Sequence, residues 1–297
     1  MAILLTKTTD CLVQGLTGKE GQRAAAWMAQ SGTRIVAGVT PGKGGLVVDN
    51  IPVYDTVAEA VATHPSISAS TIYAPAKFAL AAGLEAVAGK IPLIHLIAEN
   101  MPVRDTALLI AKAKAAGVRL LGPSSIGLIS PGIGKIGSIG GAQDQQFTPG
   151  PVGLLSKSGG MSSEIATQLT RAGLGQSTVV GIGGDRLIGS TFADLLPLFE
   201  ADEHTKVVVM IGEIGGTYEE QAAECIAAHM HKPVVAFTSG LFAETLPQGV
   251  AFGHAGAIVD STIGTRISKI TALRKAGAHI VDSPEDIVAT VKKLLEG

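Results

Sequence analysis

The chain has 297 residues, 46% of them apolar and only 16% charged, with 38 glycines, 4% aromatics and a net charge of −2. Such a composition builds real cores and excludes a disordered chain, while the balanced, scattered charge excludes a nucleic-acid or anionic-membrane surface and makes any anion site local. The two cysteines, Cys11 and Cys225, support neither a disulfide framework nor a zinc cluster, no apolar run nears about 20 residues, and the N-terminus lacks signal-peptide architecture, so a soluble, cytoplasmic protein is expected.

Residues 10–15 read as a buried strand, followed by a glycine turn and a helix over 22–31. Glycines at 15, 18 and 21 give G-x-x-G-x-x-G, a relative of the dinucleotide fingerprint that lets a helix N-terminus face a phosphate. A second strand, 34–39, runs into Thr40-Pro-Gly-Lys-Gly-Gly45, where a dehydrogenase needs an acidic residue for the ribose. Lys43 stands there instead, which suits a phosphate and argues against NAD. The alternation goes on with helices at 57–63, 78–88 and 105–116 and strands at 69–73, 92–97 and 119–121, which predicts a parallel doubly wound sheet binding its ligand at the strand C-terminal ends.

Residues 130–151 are too irregular for an element and read as an interdomain connection. A fresh alternation begins with the strand 152–156, and Ser158, Gly159 and Gly160 open the next helix, with Ser158 as N-cap and backbone N–H groups available to an anion. Strands 177–182, 206–211 and 233–238 end in loops carrying Asp185 with Arg186, then Glu213, then His254. In an open α/β sheet those loops share one face. His254 lies among Gly253, Ala255, Gly256 and Ala257, where little side chain blocks an approach to its imidazole. It is the candidate phosphoryl acceptor, with Glu213 the candidate for fixing its tautomer; an incidental histidine in a small-residue turn is the alternative. The other histidines read as structural, and no histidine pair has zinc-binding spacing supported by cysteines.

Seven segments occur in order along the chain: Leu16-Thr-Gly-Lys-Glu-Gly21, Thr40-Pro-Gly-Lys-Gly-Gly45, Gly122-Pro-Ser-Ser125, Ser156-Lys-Ser-Gly-Gly160, Gly181-Ile-Gly-Gly-Asp185, Gly212-Glu-Ile-Gly-Gly216 and Gly253-His-Ala-Gly-Ala257. With them the chain resembles the alpha subunits of the succinyl-CoA synthetase superfamily. The resemblance implies a Rossmann-like CoA-binding domain over residues 1–130 and a flavodoxin-like ligase domain over 131–297. It implies a phosphohistidine at His254 paired with Glu213, and CoA lying along Thr17, Gly18, Lys19, Gly21, Lys43, Tyr73, Pro75, Ala98, Glu99 and Asn100. Ser125, Ser158, Gly159, Gly160 and Arg186 would meet the acid or the phosphoryl group.

The chain carries no Walker loop or ATP-grasp-sized region, so ATP or GTP and its magnesium are expected on a beta subunit of the ATP-grasp type, in a hetero-oligomer. The family reads Gly-Pro-Asn-Cys-Pro-Gly where this chain has Ser124, Ser125 and Ile126, and Ser-Gly-Thr-Leu-Thr-Tyr-Glu where it has Ser158-Gly-Gly160-Met-Ser-Ser-Glu. The second segment, with Gly-Gly-Asp185-Arg186 and Gly189-Ser-Thr-Phe192, is more similar to ATP-citrate lyase and citryl-CoA synthetase. Citrate or another bulky acid therefore stands beside succinate as the expected substrate, and a non-catalytic CoA-binding regulator is a further alternative. Ala24 stands where the family often has histidine, which leaves one CoA contact open.

Overall fold

A computed structural model of the chain describes residues 2–240, 254–257 and 264–296. They form two compact units. The first, Leu4–Asp144 with Leu187–Gly189, comprises β1 (Asp10–Gln14), α1 (Lys19–Gln30), β2 (Arg34–Val39), β3 (Val47–Val48), β4 (Ile51–Tyr54), α2 (Val57–Thr63), β5 (Ile67–Ile72), α3 (Ala76–Ala88), β6 (Leu93–Leu96), α4 (Val103–Ala115), β7 (Arg119–Leu121), β8 (Gly127–Ser130) and β9 (Gly134–Gly137). Its sheet runs β3-β4-β2-β1-β5-β6-β7, parallel except for β3 against β4. All five residues of β1 are buried, as a central parallel strand covered on both faces requires. Leu12, Ile72, Ile94, Leu96 and Leu109 pack in one core with Val57 and Ala79, at most 2% exposed.

The glycine turn after β1 is fixed by close backbone approaches. Gly15 has φ +82°, and a Cβ there would sit 2.5 Å from the Tyr73 carbonyl oxygen; a Cβ at Gly21 would sit 2.3 Å from that of Gly15. Gly18 is looser, with a Cβ reaching only 3.2 Å from the Gly15 oxygen. The helix consequently begins at Lys19, three residues before the expected start at 22, with Gly18 as its N-cap.

The second unit, which takes up from Gln145 without Leu187–Gly189, comprises β10 (Pro149–Ser156), α5 (Gly159–Arg171), β11 (Gln176–Gly181), α6 (Phe192–Ala201), β12 (Val207–Glu213), α7 (Tyr218–His229), β13 (Val234–Ser239), α8 (Arg266–Lys275), β14 (His279–Val281) and α9 (Asp286–Glu296). Its parallel strands run β14-β13-β12-β10-β11. Leu154, Val180, Val209, Phe192 and Phe199 are fully buried between sheet and helices. Both units are α/β, as expected.

One expectation changes. The stretch 130–151 holds structure: β8 and β9 form an antiparallel hairpin in which Gly127 faces Gly137. Glycine, a breaker by propensity, is needed there, because a Cβ on Gly127 would lie 1.9 Å from the Ile136 oxygen. The first compact unit takes in this hairpin and runs to Asp144. The fully buried Lys135 donates from Nζ to Asp144 at 2.9 Å and to the Gly141 carbonyl at 2.7 Å, and its backbone oxygen accepts from the hydroxyl of Thr33, just ahead of β2, at 2.6 Å. Among the described residues no helix is long and apolar enough to cross a membrane.

Candidate functional site

In the second unit, strands β10, β11, β12 and β13 are parallel neighbours, so their C-terminal ends open on one edge. Strand β10 ends at Ser156, whose hydroxyl donates to the Ser158 carbonyl at 2.8 Å and accepts from the Ser158 N–H at 3.1 Å. This tight local turn sets Lys157 inward and Ser158 at the cap of α5, where the Ser158 hydroxyl accepts from the Met161 N–H at 3.4 Å. Ser158 is therefore the N-cap, as its sequence position suggests. Gly160 faces open space, with no atom within 4 Å of a Cβ placed there. Glu213 is the last residue of β12, not part of the loop beyond it.

His254 and Glu213 come together. The imidazole Nδ1–H donates to Glu213 Oε2 at 2.6 Å. Glu213 is 9% exposed at the side chain and His254 34%, so the carboxylate sits below a ring that reaches the surface. Burial opposes the ionisation of Glu213, but the His254 hydrogen bond and the Lys157 charge outweigh it and hold its carboxyl below the usual range. Lys157 Nζ lies 3.3 Å from Glu213 Oε1, and the lysine is almost fully buried. Burial disfavours its charge too, yet Glu219 and Glu213 reverse the effect and raise its pKa above the ordinary value.

The ring also needs Gly184, since a Cβ there would come within 2.8 Å of the imidazole. The short loop is pinned from the β11 side: the Gly256 N–H donates to the Gly184 carbonyl at 3.0 Å, and Arg186 Nε donates to the Ala255 carbonyl at 3.1 Å. Arg186 thus spends one donor on holding the histidine loop, and Asp185 beside it is 8% exposed. Residues 249–253 and 258–260 of the expected loop, Gly253 included, lie outside the described residues.

The first unit holds a second candidate site. A cavity of about 580 Å³ opens at the C-terminal ends of β1, β2 and β5, lined by Gly15, Thr40, Tyr73, Pro75 and Phe78 among others. Tyr73 and Pro75 are on its wall; Thr17, Gly18, Lys19, Gly21, Lys43, Ala98, Glu99 and Asn100 are not. Helix α1 starts beside Gly15 with no side-chain cap at Gly18, so its first-turn N–H groups are available to phosphate. Lys43 is exposed in the turn after β2, and Asn100, with φ +58°, turns the chain after β6. This combination of a largely apolar slot and open helix N–H groups fits CoA.

Ser125 belongs to this unit and is 1% exposed, its hydroxyl accepting from the Gly127 N–H at 3.0 Å and its carbonyl from His95 Nε2–H at 2.9 Å. Burial holds His95 down at about 4, so the ring is neutral, accepts the Thr71 hydroxyl at Nδ1 and fixes the Ser125 loop. His95 is structural, as its strand position suggests.

Sequence reasoning misses Lys157 as a site residue, along with Glu219 and Lys269 behind it. Glu219 and Lys269 are fully buried and paired, and Glu219 Oε1 accepts from the Glu213 N–H at 3.0 Å. No local signal marks these residues, because their partners lie on other elements.

Known proteins match along the whole chain. A CoA binding domain family matches residues 6–100 and a CoA-ligase family residues 155–279. An ADP-forming succinate–CoA ligase alpha subunit of Archaeoglobus fulgidus is 47% identical over 100% of this chain and 99% of its own, and one from Aquifex aeolicus 45% identical over 100% and 95%. Among solved structures, ATP citrate lyase of Methanothrix soehngenii in complex with citrate and coenzyme A superposes with a TM-score of 0.91 at 28% identity, covering 99% of this chain and 50% of that one. A dinucleotide-forming acetyl-coenzyme A synthetase of Ca. Korarchaeum cryptofilum shares the fold, with a TM-score of 0.74 at 18% identity over 98% of this chain and 61% of its own. With relatives this similar over their full length, the chain belongs to the family of succinate–CoA ligase alpha subunits.

Proposed function

We propose that this alpha subunit forms an acyl-CoA from a dicarboxylic acid, CoA and a nucleoside triphosphate, with His254 carrying the phosphoryl group between steps. The observation that carries the reading is the 2.6 Å hydrogen bond from His254 Nδ1 to Glu213. It keeps the Nδ1 proton in place and leaves Nε2 as the nucleophile. Attack on the terminal phosphorus forms an N–P bond as the P–O bond to the nucleoside diphosphate breaks. The phosphoryl group then passes to a carboxylate oxygen of the acid, breaking N–P and forming O–P. The CoA thiolate attacks the resulting acyl phosphate, forming C–S and releasing inorganic phosphate. Dividing the reaction this way replaces one difficult displacement by easier ones.

The N–H groups at the start of α5, behind Ser158 with Gly159 and Gly160, would offset the phosphoryl charge, and the terminal nitrogens of Arg186 would meet an acid carboxylate. CoA would occupy the Tyr73–Pro75 cavity, its phosphates against Thr17–Gly21 and Lys43. Among the described residues no group of three or more histidine, cysteine, aspartate or glutamate side chains is arranged for a metal. We assign the magnesium nucleotide to a beta subunit of the ATP-grasp type and the assembly to the cytoplasm.

With that partner and γ-labelled ATP, the wild type takes up acid-labile label at His254, and His254→Asn takes up none. Label retained in the variant, or found as acid-stable phosphoserine, sinks the assignment; CoA binding with no labelling at all supports a regulatory role. Succinate is the first substrate reading. Citrate is the second, favoured by the open space at Gly160 and by the likeness to the ATP citrate lyase chain. A panel of both acids, with thioester formation as the readout, decides between them.

A further inference from the structure

Behind the histidine a row of buried charges alternates in sign. Lys269, on α8, pairs with Glu219 on α7; Glu219 Oε1 lies 3.8 Å from Lys157 Nζ; Lys157 lies 3.3 Å from Glu213; and Glu213 accepts from His254. Lys157, Glu219 and Lys269 are at most 2% exposed at the side chain, so water screens none of them well. Glu220 joins from the rim, 3.4 Å from Lys269 and bonded to the Ser268 hydroxyl at 2.8 Å. Tyr218 offers its ring to Lys157 at 5.6 Å and donates its hydroxyl to the Arg186 carbonyl at 3.1 Å. Next to His254, Arg186 Nε donates to the Ala255 carbonyl at 3.1 Å.

The arithmetic of this row matters for nucleophilicity. Glu213, Glu219 and Glu220 carry three negative charges, and Lys157 and Lys269 two positive ones. Glu219 alone faces two cations and Glu213 alone faces the imidazole. Remove the Lys157 charge, and the three carboxylates are left with the single Lys269 cation, which pairs with Glu219 and Glu220. The nearest means of neutralising the excess is a second proton on the imidazole, which occupies Nε2 and ends its nucleophilicity.

We propose that Lys157 is a positioning residue for phosphoryl transfer: its buried ammonium, held between Glu213 and Glu219, keeps the Glu213 carboxylate ionised and aimed at Nδ1 so that His254 stays a neutral nucleophile. The role rests on His254 being the phosphoryl carrier. It differs from that of Glu213 in that Lys157 reaches the ring only through another side chain.

The test uses the assembled enzyme and two readouts. The first follows the imidazole resonances of His254 in the isotope-labelled wild type, Lys157→Arg and Lys157→Met through a pH titration. Lys157→Met moves the His254 midpoint upward by about 1 pH unit, and Lys157→Arg leaves it near the wild type. The second follows phosphoenzyme formation against pH. In Lys157→Met the acid limb moves up by a similar amount and the rate near neutral pH falls roughly tenfold, with the rate above the limb largely recovered. A purely structural role lowers the rate by one factor at every pH and leaves the midpoint alone, and that outcome overturns the proposal. If Lys157→Met does not assemble, Lys157→Gln is compared with Lys157→Arg, and equal midpoints in the two overturn it as well. Absence of label at His254 in the wild type would instead defeat the phosphohistidine reading, and the imidazole titration still judges Lys157.

Discussion

His254 and Glu213 show how one residue acquires its chemistry from the next. The carboxylate that fixes the ring is itself held ionised, against its own burial, by the imidazole N–H and by Lys157. Its folded pKa is depressed below the ordinary value of 4.5, so the stability it contributes is fully present above that pH and is lost as pH falls through the lower folded value. Glu213→Gln cannot lose a charge on acidification. Its unfolding free energy, measured by urea titration at several acidic pH values, therefore falls less steeply below about pH 4.5 than that of the wild type. On the proposed function, the same variant slows phosphoryl transfer to His254 by about 10–100-fold at neutral pH, the scale of loss when a group that orients a functional histidine is removed. Both residues are legible in the sequence, because glycine-rich strand ends mark the edge where ligands gather. The burial of Lys157 is not legible: it stands between two serines, and the charges that stabilise it come from β12 and α7.

At the scale of elements, caps and close approaches decide where the chain turns. Helix α6 opens with a full capping box, in which the Thr191 hydroxyl accepts from the Asp194 N–H and the Asp194 carboxylate accepts from the Thr191 N–H. Thr191→Ala removes one half of it and costs about 1 kcal/mol in a urea melt, with no effect on His254 labelling. Helix α5 behaves in the opposite sense. Gly160 lies in its first turn with open space where a Cβ would go, so the fold does not require a glycine there. Gly160→Ala raises the unfolding free energy by roughly 0.5–1 kcal/mol and shifts relative turnover toward the smaller acid in the panel. Equal or lower stability in the alanine variant refutes this account of the position. The alternation of strands and helices is legible because apolar runs change period at glycine turns. The β8–β9 hairpin is not, since Gly127 and Gly137 are required by the backbone approach that the pairing creates. The β3–β4 pair is hidden for another reason: a two-residue strand, half of it exposed, has no period to read.

The whole molecule is two α/β units of similar construction, yet neither is one continuous piece of sequence. Residues 2–3 belong with the second unit and Leu187–Gly189 with the first, where the Gly189 N–H donates to the Gly122 carbonyl at 2.8 Å. The fit of Gly189 is close, because a Cβ there would lie 2.6 Å from Leu120. Cleavage of the backbone near Asp144 should therefore leave the two fragments associated. A protease site inserted between Asp144 and Gln145 and cut under native conditions yields one species on size exclusion and two bands under denaturing conditions; fragments that separate without denaturant contradict the shared segments. The division itself escapes a reading of composition, since nothing marks Leu187–Gly189 as belonging with residues far earlier in the chain. For anyone recombining this family, the interleaving sets the rules of exchange. A chimera that takes its CoA-binding half from a relative must also import three residues from beyond position 186 and leave behind the first few, so a single crossover delivers a hybrid with two mismatched seams.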